Sequence, residues 1–294
     1  MDGSAIRGSI SLAVTPFLDN GVIDWNSFDH LMDFHASAGS DAFFAVCGTS
    51  EMSLLTLDER LQVARRAVLR RGTMPVLACG NVSTDEREHP DEVRAMVDTG
   101  VDGLVLVPPV TPKDESAWLR YVESLIQSVD VPILLYEWPE RNAYHISPAL
   151  YLKMVETLNV YGLKDTSGHL SVISERRGAG AVFQAVASLV VPAFELGILG
   201  TTLIGSAVRP DLSKRLWESL VTRDVSVDPL AREIVLLHAV LDPSHPAGAK
   251  WLLKQAGWIT EDTTRKPAVL DEAQRAALAT WAGAAAPFPM PVAT

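Results

Sequence analysis

Short, almost continuous apolar runs recur along the chain: Ser9–Phe17, Ala42–Val46, Val76–Gly80, Gly103–Pro108, Pro132–Glu137, Val160–Asp165, Ala181–Val186 and Gly200–Ile204. A strand with one wet face alternates polar and apolar residues. Runs without that alternation predict parallel strands covered on both faces. The stretches between them have helical signals. Asp24–Ala38 opens on an Asp N-cap and stops at Gly39. Thr56–Arg71 opens with the capping box Thr-Leu-Asp-Glu and ends at Gly72. Asp85–Thr99 stops at Gly100, and Ser116–Ser128, Ser147–Leu158, Gly168–Arg177, Leu189–Leu196 and Asp211–Thr222 complete the set. Eight strands alternating with eight helices predict an α/β fold, a (β/α)8 TIM barrel with right-handed crossovers. Pro229–Leu241, Pro246–Gln255 and Asp271–Ala284 follow as a C-terminal helical extension. The expected division is a barrel over 1–222, a helical subdomain over 223–284 and a mobile Ala/Pro-rich tail over 285–294. The rival, a doubly wound open sheet, would place a glycine-rich phosphate turn after the first strand, where Thr15-Pro16-Phe17 stands.

Length and charge narrow the function classes. The chain has 294 residues, enough for one barrel of about 250 residues plus an extension. Its net charge is −11 and its 25 basic residues are scattered, which argues against nucleic acid and anionic membrane surfaces as partners. No apolar run approaches the roughly 20 residues of a membrane span. Met1–Arg7 has no apolar signal-peptide core. Cys47 and Cys79 are too far apart for a CxxC motif, so neither a disulfide framework nor a zinc site is indicated. The expectation is a soluble protein of a reducing cytoplasm.

Barrels carry their chemistry at the C-terminal ends of the strands. Lys164 stands out there: the chain has seven lysines, and this one lies inside the apolar run Val-Tyr-Gly-Leu-Lys-Asp. Burial disfavours the ammonium and would lower its pKa from about 10.4 towards about 7–8, giving an amine able to form a Schiff base with a carbonyl. The competing reading is a rim lysine paired with Asp165 or Glu137. Tyr136 ends the preceding strand and could move protons to or from Lys164, or simply pack with its hydroxyl bonded. Thr49 and Ser50 follow the second strand and could hold a carboxylate, or cap an ordinary turn.

Four groups of residues, in order along the chain, resemble one family. Thr15-Pro16-Phe17 with Gly21-x-Ile23-Asp24, Gly48-Thr49-Ser50-Glu51 with Leu55-Thr56-Leu57-Asp58-Glu59-Arg60, Tyr136-x-x-Pro139-x-Arg141, and Gly162-Leu163-Lys164-Asp165-x-Ser167-Gly168 are similar to the dihydrodipicolinate synthase / N-acetylneuraminate lyase family. The resemblance spans roughly Gly8 to Leu220. It implies a Schiff-base (class I) aldolase or lyase acting on pyruvate or a related 2-oxo acid together with an aldehyde. Lys164 would be the nucleophile and Tyr136 the proton-transfer residue. Thr49 and Ser50 would bind the 2-oxo acid carboxylate, and Arg141 the tail of the second substrate. It also implies no metal or organic cofactor, and a homotetramer built as a dimer of dimers.

The chain departs from the family pattern at several points. Gly48-Thr49-Ser50-Glu51 lacks one glycine of the usual turn. Pro108-Pro109-Val110 has no hydroxyl where the synthases carry a relay tyrosine, which turns the expectation away from dihydrodipicolinate synthase itself. Glu137 places an added carboxylate beside the lysine and is a candidate substrate-binding or acid/base residue; Trp138 reads as core packing. Gly205, in Gly205-Ser206-Ala207-Val208-Arg209-Pro210, is a further candidate substrate contact. His145 and His169 fall in loops on the catalytic side, and Cys47 and Cys79 read as small buried thiols. Three alternatives stand beside the aldolase. They are a 2-keto-3-deoxy sugar acid dehydratase using the same lysine, a catalytically idle barrel that binds a 2-oxo acid, and a phosphate-binding barrel resting on Gly205-Ser206.

Overall fold

The computed structural model describes residues 6–109, 111, 114–127, 129–139, 145–158, 160–285 and 287–288. Eight parallel strands close into a barrel in chain order, β1 pairing with β8. They are β1 Gly8–Leu12, β2 Ala42–Val46, β3 Val76–Cys79, β4 Gly103–Leu106, β5 Ile133–Glu137, β6 Val160–Asp165, β7 Ala181–Gln184 and β8 Gly200–Thr201. Helices α1 Trp25–Ser37, α2 Leu57–Arg70, α3 His89–Val97, α4 Glu115–Ile126, α5 Pro148–Leu158, α6 Leu170–Ser174, α7 Val190–Glu195 and α8 Pro210–Thr222 alternate with them. Helices α9 Val227–Leu241, α10 Ala247–Gln255 and α11 Glu272–Ala284 follow. Residues of every strand are buried, as expected of a sheet covered by helices outside and side chains within.

Local signals account for most boundaries. Asp24 caps α1 by accepting from the Asn26 and Ser27 N–H groups, both at 3.1 Å. Thr56 and Glu59 form the capping box of α2. Gly39 and Gly100 stop α1 and α3 with φ of +75° and +87°, a backbone that glycine adopts without steric cost. Three elements are shorter than the hydrophobic pattern predicts. β1 ends at Leu12 because the chain then crosses the barrel mouth, where Phe17 makes a lone antiparallel bridge to Ile23. α3 starts at His89 rather than Asp85, since Pro90 fits only the first turn of a helix. β8 stops at Thr201, and its apolar continuation turns into the 3-10 segment Ile204–Ala207.

The C-terminal helices pack over the mouth of the barrel. Gly205 allows that approach: a Cβ there would sit 3.0 Å from Leu237 of α9. Phe288, in the stretch expected to be mobile, stacks edge-on against Trp281 at 6.1 Å. A buried ion pair ties α10 to the loop after β2. Lys250 Nζ donates to Glu51 Oε1 at 2.5 Å and to the Thr263 carbonyl at 2.8 Å, and lies 4.2 Å from the centre of the Phe17 ring. Glu51 Oε2 accepts the Arg265 N–H at 2.7 Å. Glu51 has φ +60°, so it makes the left-handed turn in a loop that lacks the family's usual glycine. Burial pulls the Lys250 ammonium down to about 8, against the attraction of Glu51.

Two predictions follow from these contacts. Lys250→Met should lower the unfolding free energy by about 3 kcal/mol, because it strands the buried Glu51 carboxylate. Glu51→Gly/Lys250→Met should recover most of that loss in the same urea titration, since it removes both charges and the strained φ. The second concerns His35, which is 1% exposed between Phe34 and Phe43. Its Nδ1 has no partner among the described residues. Burial holds its pKa at about 3, against 6.5 when unfolded. The unfolded chain therefore takes up this proton first, and the stability of the neutral ring is complete above pH 6.5. It is lost as pH falls towards 3, at about 1.4 kcal/mol per pH unit. Melts at pH 7.5 and pH 5 should show a smaller loss in His35→Leu than in the parent; equal losses would refute the assignment.

Candidate active site

β5 and β6 run side by side with Tyr136 opposite Lys164 and Glu137 opposite Asp165. Successive strand residues point to opposite faces, so Tyr136 and Lys164 share the barrel interior while Glu137 and Asp165 face the helices. Lys164 is 4% exposed. Its Nζ donates to the Tyr136 hydroxyl at 3.1 Å and lies 4.2 Å from the Tyr136 ring centre and 5.3 Å from that of Phe44. Trp138 stacks on Tyr136 with ring centres 5.1 Å apart and planes inclined by 16°. Lys164 and Tyr136 lie at the base of a cavity of about 710 Å³, whose wall also includes Trp138, Thr49, Thr166 and Thr202. Trp138 is thus a wall of the cavity rather than only core packing.

The electrostatics differ from the expectation of a lowered lysine pKa. Burial penalises the Lys164 ammonium, but its contacts with Tyr136 and with the Cys47 and Cys79 thiols outweigh that, and the pKa lies above the ordinary lysine value. Burial pushes both the Tyr136 phenol and the Cys47 thiol up. The resting site therefore pairs an ammonium with a neutral phenol. Cys47 and Cys79 are buried thiols, as the sequence indicates.

Other expected contacts fall elsewhere. Ser50 is fully buried, and its hydroxyl both donates to the Cys47 carbonyl and accepts the Cys47 N–H, each at 2.8 Å. It braces the turn rather than lining the cavity. Thr49 is the member of the pair that lines it. Glu137 lies outside the cavity for the reason of alternation. Its carboxylate accepts the Ile146 N–H at 3.2 Å, meets His145 Nδ1 at 2.9 Å and lies 3.9 Å from the Arg176 guanidinium. Burial raises its pKa, with Arg176 opposing. Asp165 likewise turns away, accepting the Ser167 N–H at 2.9 Å and the Gln184 amide at 3.2 Å. The reading of Lys164 as a rim lysine paired to either carboxylate is therefore removed.

Gly205 packs under α9, so its place is in positioning the extension. Ser206 Oγ is occupied by the Leu203 carbonyl at 2.6 Å and the Leu12 N–H at 3.1 Å, so its hydroxyl proton is not offered to a phosphate. His145 and His169 are exposed. Arg141 and Val110 lie outside the described residues.

The structure adds residues that the sequence did not single out. His238 at the end of α9, and Asp242 and His245 in the turn before α10, line the same cavity as Lys164. His245 Nε2 meets Thr49 Oγ1 at 3.0 Å. Thr202 Oγ1, on the cavity wall, is buried with no hydrogen-bond partner among the described residues. The spacing of His238 and Asp242, one helical turn apart, was a possible signal. Nothing local connects it to a barrel strand. Among the described residues, no group of three or more His, Cys, Asp or Glu is arranged to hold a metal, and no helix is long and apolar enough to cross a membrane.

Comparison with known proteins agrees with this geometry. The dihydrodipicolinate synthetase family model matches residues 5–283. A 4-hydroxy-tetrahydrodipicolinate synthase of Shewanella pealeana is 28% identical over 273 residues, covering 89% of this chain and 92% of that protein. One from Pseudomonas aeruginosa is 29% identical over 264 residues, covering 87% and 90%. Among solved structures, the chloride-inhibited dihydrodipicolinate synthase of Acinetobacter baumannii complexed with pyruvate superposes with a TM-score of 0.88 at 26% identity, covering 95% of this chain and 98% of that one. Matched over nearly its whole length, and built on the same barrel, the chain belongs to the dihydrodipicolinate synthetase family of aldolase-type lyases.

Proposed function

We propose that the chain is a Schiff-base (class I) aldolase acting on pyruvate or a related 2-oxo acid and an aldehyde, with Lys164 as nucleophile and Tyr136 as proton-transfer residue. The observation that carries this reading is the 3.1 Å contact between Lys164 Nζ and the Tyr136 hydroxyl at the base of the cavity. The Lys164 amine, once deprotonated, attacks the C2 carbonyl of the 2-oxo acid. The carbinolamine oxygen gains a proton and leaves as water, giving an imine. The imine nitrogen draws electrons as the methyl group loses a proton, and an enamine results. Its carbon adds to the aldehyde carbon, the new alkoxide takes a proton, and water releases the product from Lys164. Tyr136, in contact with the nitrogen, is placed to carry these protons. Thr49 offers a hydroxyl to the 2-oxo acid carboxylate, and Arg141 is assigned to the tail of the second substrate.

The relatives bear on the choice among readings. Those compared carry the synthase name, which supports carbon–carbon bond formation over the sugar acid dehydratase or an idle barrel. It also runs against the expectation, drawn from Val110, that the synthase reaction is disfavoured.

Borohydride reduction in the presence of pyruvate should leave a reduced pyruvyl adduct on the peptide containing Lys164, and none in Lys164→Ala. An adduct on another lysine, or none with any 2-oxo acid, would overturn the assignment. Because the Lys164 pKa is raised, the reactive amine is the minor form at pH 7. The trapping rate should therefore increase with pH between 7 and 9, by up to about tenfold per unit. A flat profile would mean that the resting amine is neutral. Tyr136→Phe should still form the adduct but turn over about a hundredfold or more slowly.

A further inference from the structure

The loop after β2 is joined twice to α10 and the turn before it. His245 Nε2 meets Thr49 Oγ1 at 3.0 Å, and Lys250 Nζ meets Glu51 Oε1 at 2.5 Å. The second contact is a buried ion pair and fixes the backbone on both sides. The first lies on the cavity wall beside Lys164. His245 is faced by Lys164 from β6 and by Asp242 and His238 from its own side. Burial, followed by the Lys164 charge, brings its pKa down to about 4, so the ring is neutral at pH 7, with one nitrogen donating and one accepting. The neighbouring hydroxyl of Ser50 is consumed by Cys47. Thr49 is therefore the hydroxyl of this turn that faces a ligand, and its proton has two possible directions. If Nε2 accepts it, the hydroxyl has no donor for an anion. If Nε2–H donates to Oγ1, the Thr49 proton is turned into the cavity.

We propose that His245, supplied by the C-terminal extension, is a positioning residue of the site: its Nε2–H donates to Thr49 Oγ1 and directs the Thr49 hydroxyl proton to the carboxylate of the bound 2-oxo acid. This rests on the reading of Lys164 as the imine-forming residue. The extension then completes the substrate site instead of only covering it. Loss of His245 should weaken capture of the 2-oxo acid and leave the chemical step at Lys164 largely intact. Gln, which can present an amide N–H in place of Nε2–H, should restore much of the binding.

The test is borohydride trapping on the full-length protein across a range of pyruvate concentrations. It yields a half-saturating concentration and a maximal trapping rate for each variant. His245→Leu should raise the half-saturating concentration about tenfold or more, as expected for one lost hydrogen bond to a charged ligand, with a maximal rate within about twofold of the parent. His245→Gln should return it to within about twofold. Thr49→Val/His245→Leu should be no weaker than Thr49→Val alone, because both changes remove the same contact. Unchanged half-saturation in His245→Leu, additive losses in the double variant, or a fall in maximal rate that Gln does not rescue would each overturn the proposal. An adduct on Lys164 that is indifferent to His245 overturns this proposal alone. The absence of any adduct in the parent overturns it together with the function it rests on.

Discussion

Closing eight parallel strands on themselves gives each strand an inner and an outer row of side chains, and the site depends on which row each residue occupies. Tyr136 and Lys164 are in register on neighbouring strands and both fall in the inner row. One residue further on, Glu137 and Asp165 fall in the outer row and become part of the shell that holds the helices. A slip of β5 by one residue against β6 would turn Glu137 inward in place of Tyr136 and bring its carboxylate against the lysine. The barrel thus separates the Lys164 nitrogen from the nearest acids without any dedicated device. The lysine is left with a phenol, two thiols and an aromatic ring as neighbours.

That environment gives the site its resting state. A buried lysine among apolar groups alone would shed its proton. Here the phenol and thiols that surround it favour the charged form, and burial holds the protons of Tyr136 and Cys47 tightly. The ammonium places a buried positive charge in a chain whose net charge is −11.

The barrel alone does not make the cavity. The extension contributes part of the wall, and the loop after β2 is shaped to receive it. Glu51 adopts a left-handed backbone in a turn that lacks one glycine of the family pattern, and Lys250 holds it there from α10. The departure from the family pattern in that turn and the attachment of the extension are therefore one feature. Thr49 lies within the same turn, so the clasp also determines what its hydroxyl meets.

The order of strands and helices, the caps of α1 and α2, the glycine stops and the presence of Lys164 and Tyr136 at strand ends were all legible in the sequence. Each depends on hydrophobic period or on residues a few positions apart. The opposite orientation of Glu137 was implicit in the same period of two. The occupied hydroxyl of Ser50, the raised pKa of Lys164 and the contact of His245 with Thr49 were not legible. The last joins residues 196 positions apart, and no local pattern records which distant groups share a buried volume. Burial, pKa and hydrogen-bond partner are properties of that shared volume, so only the tertiary structure could decide them.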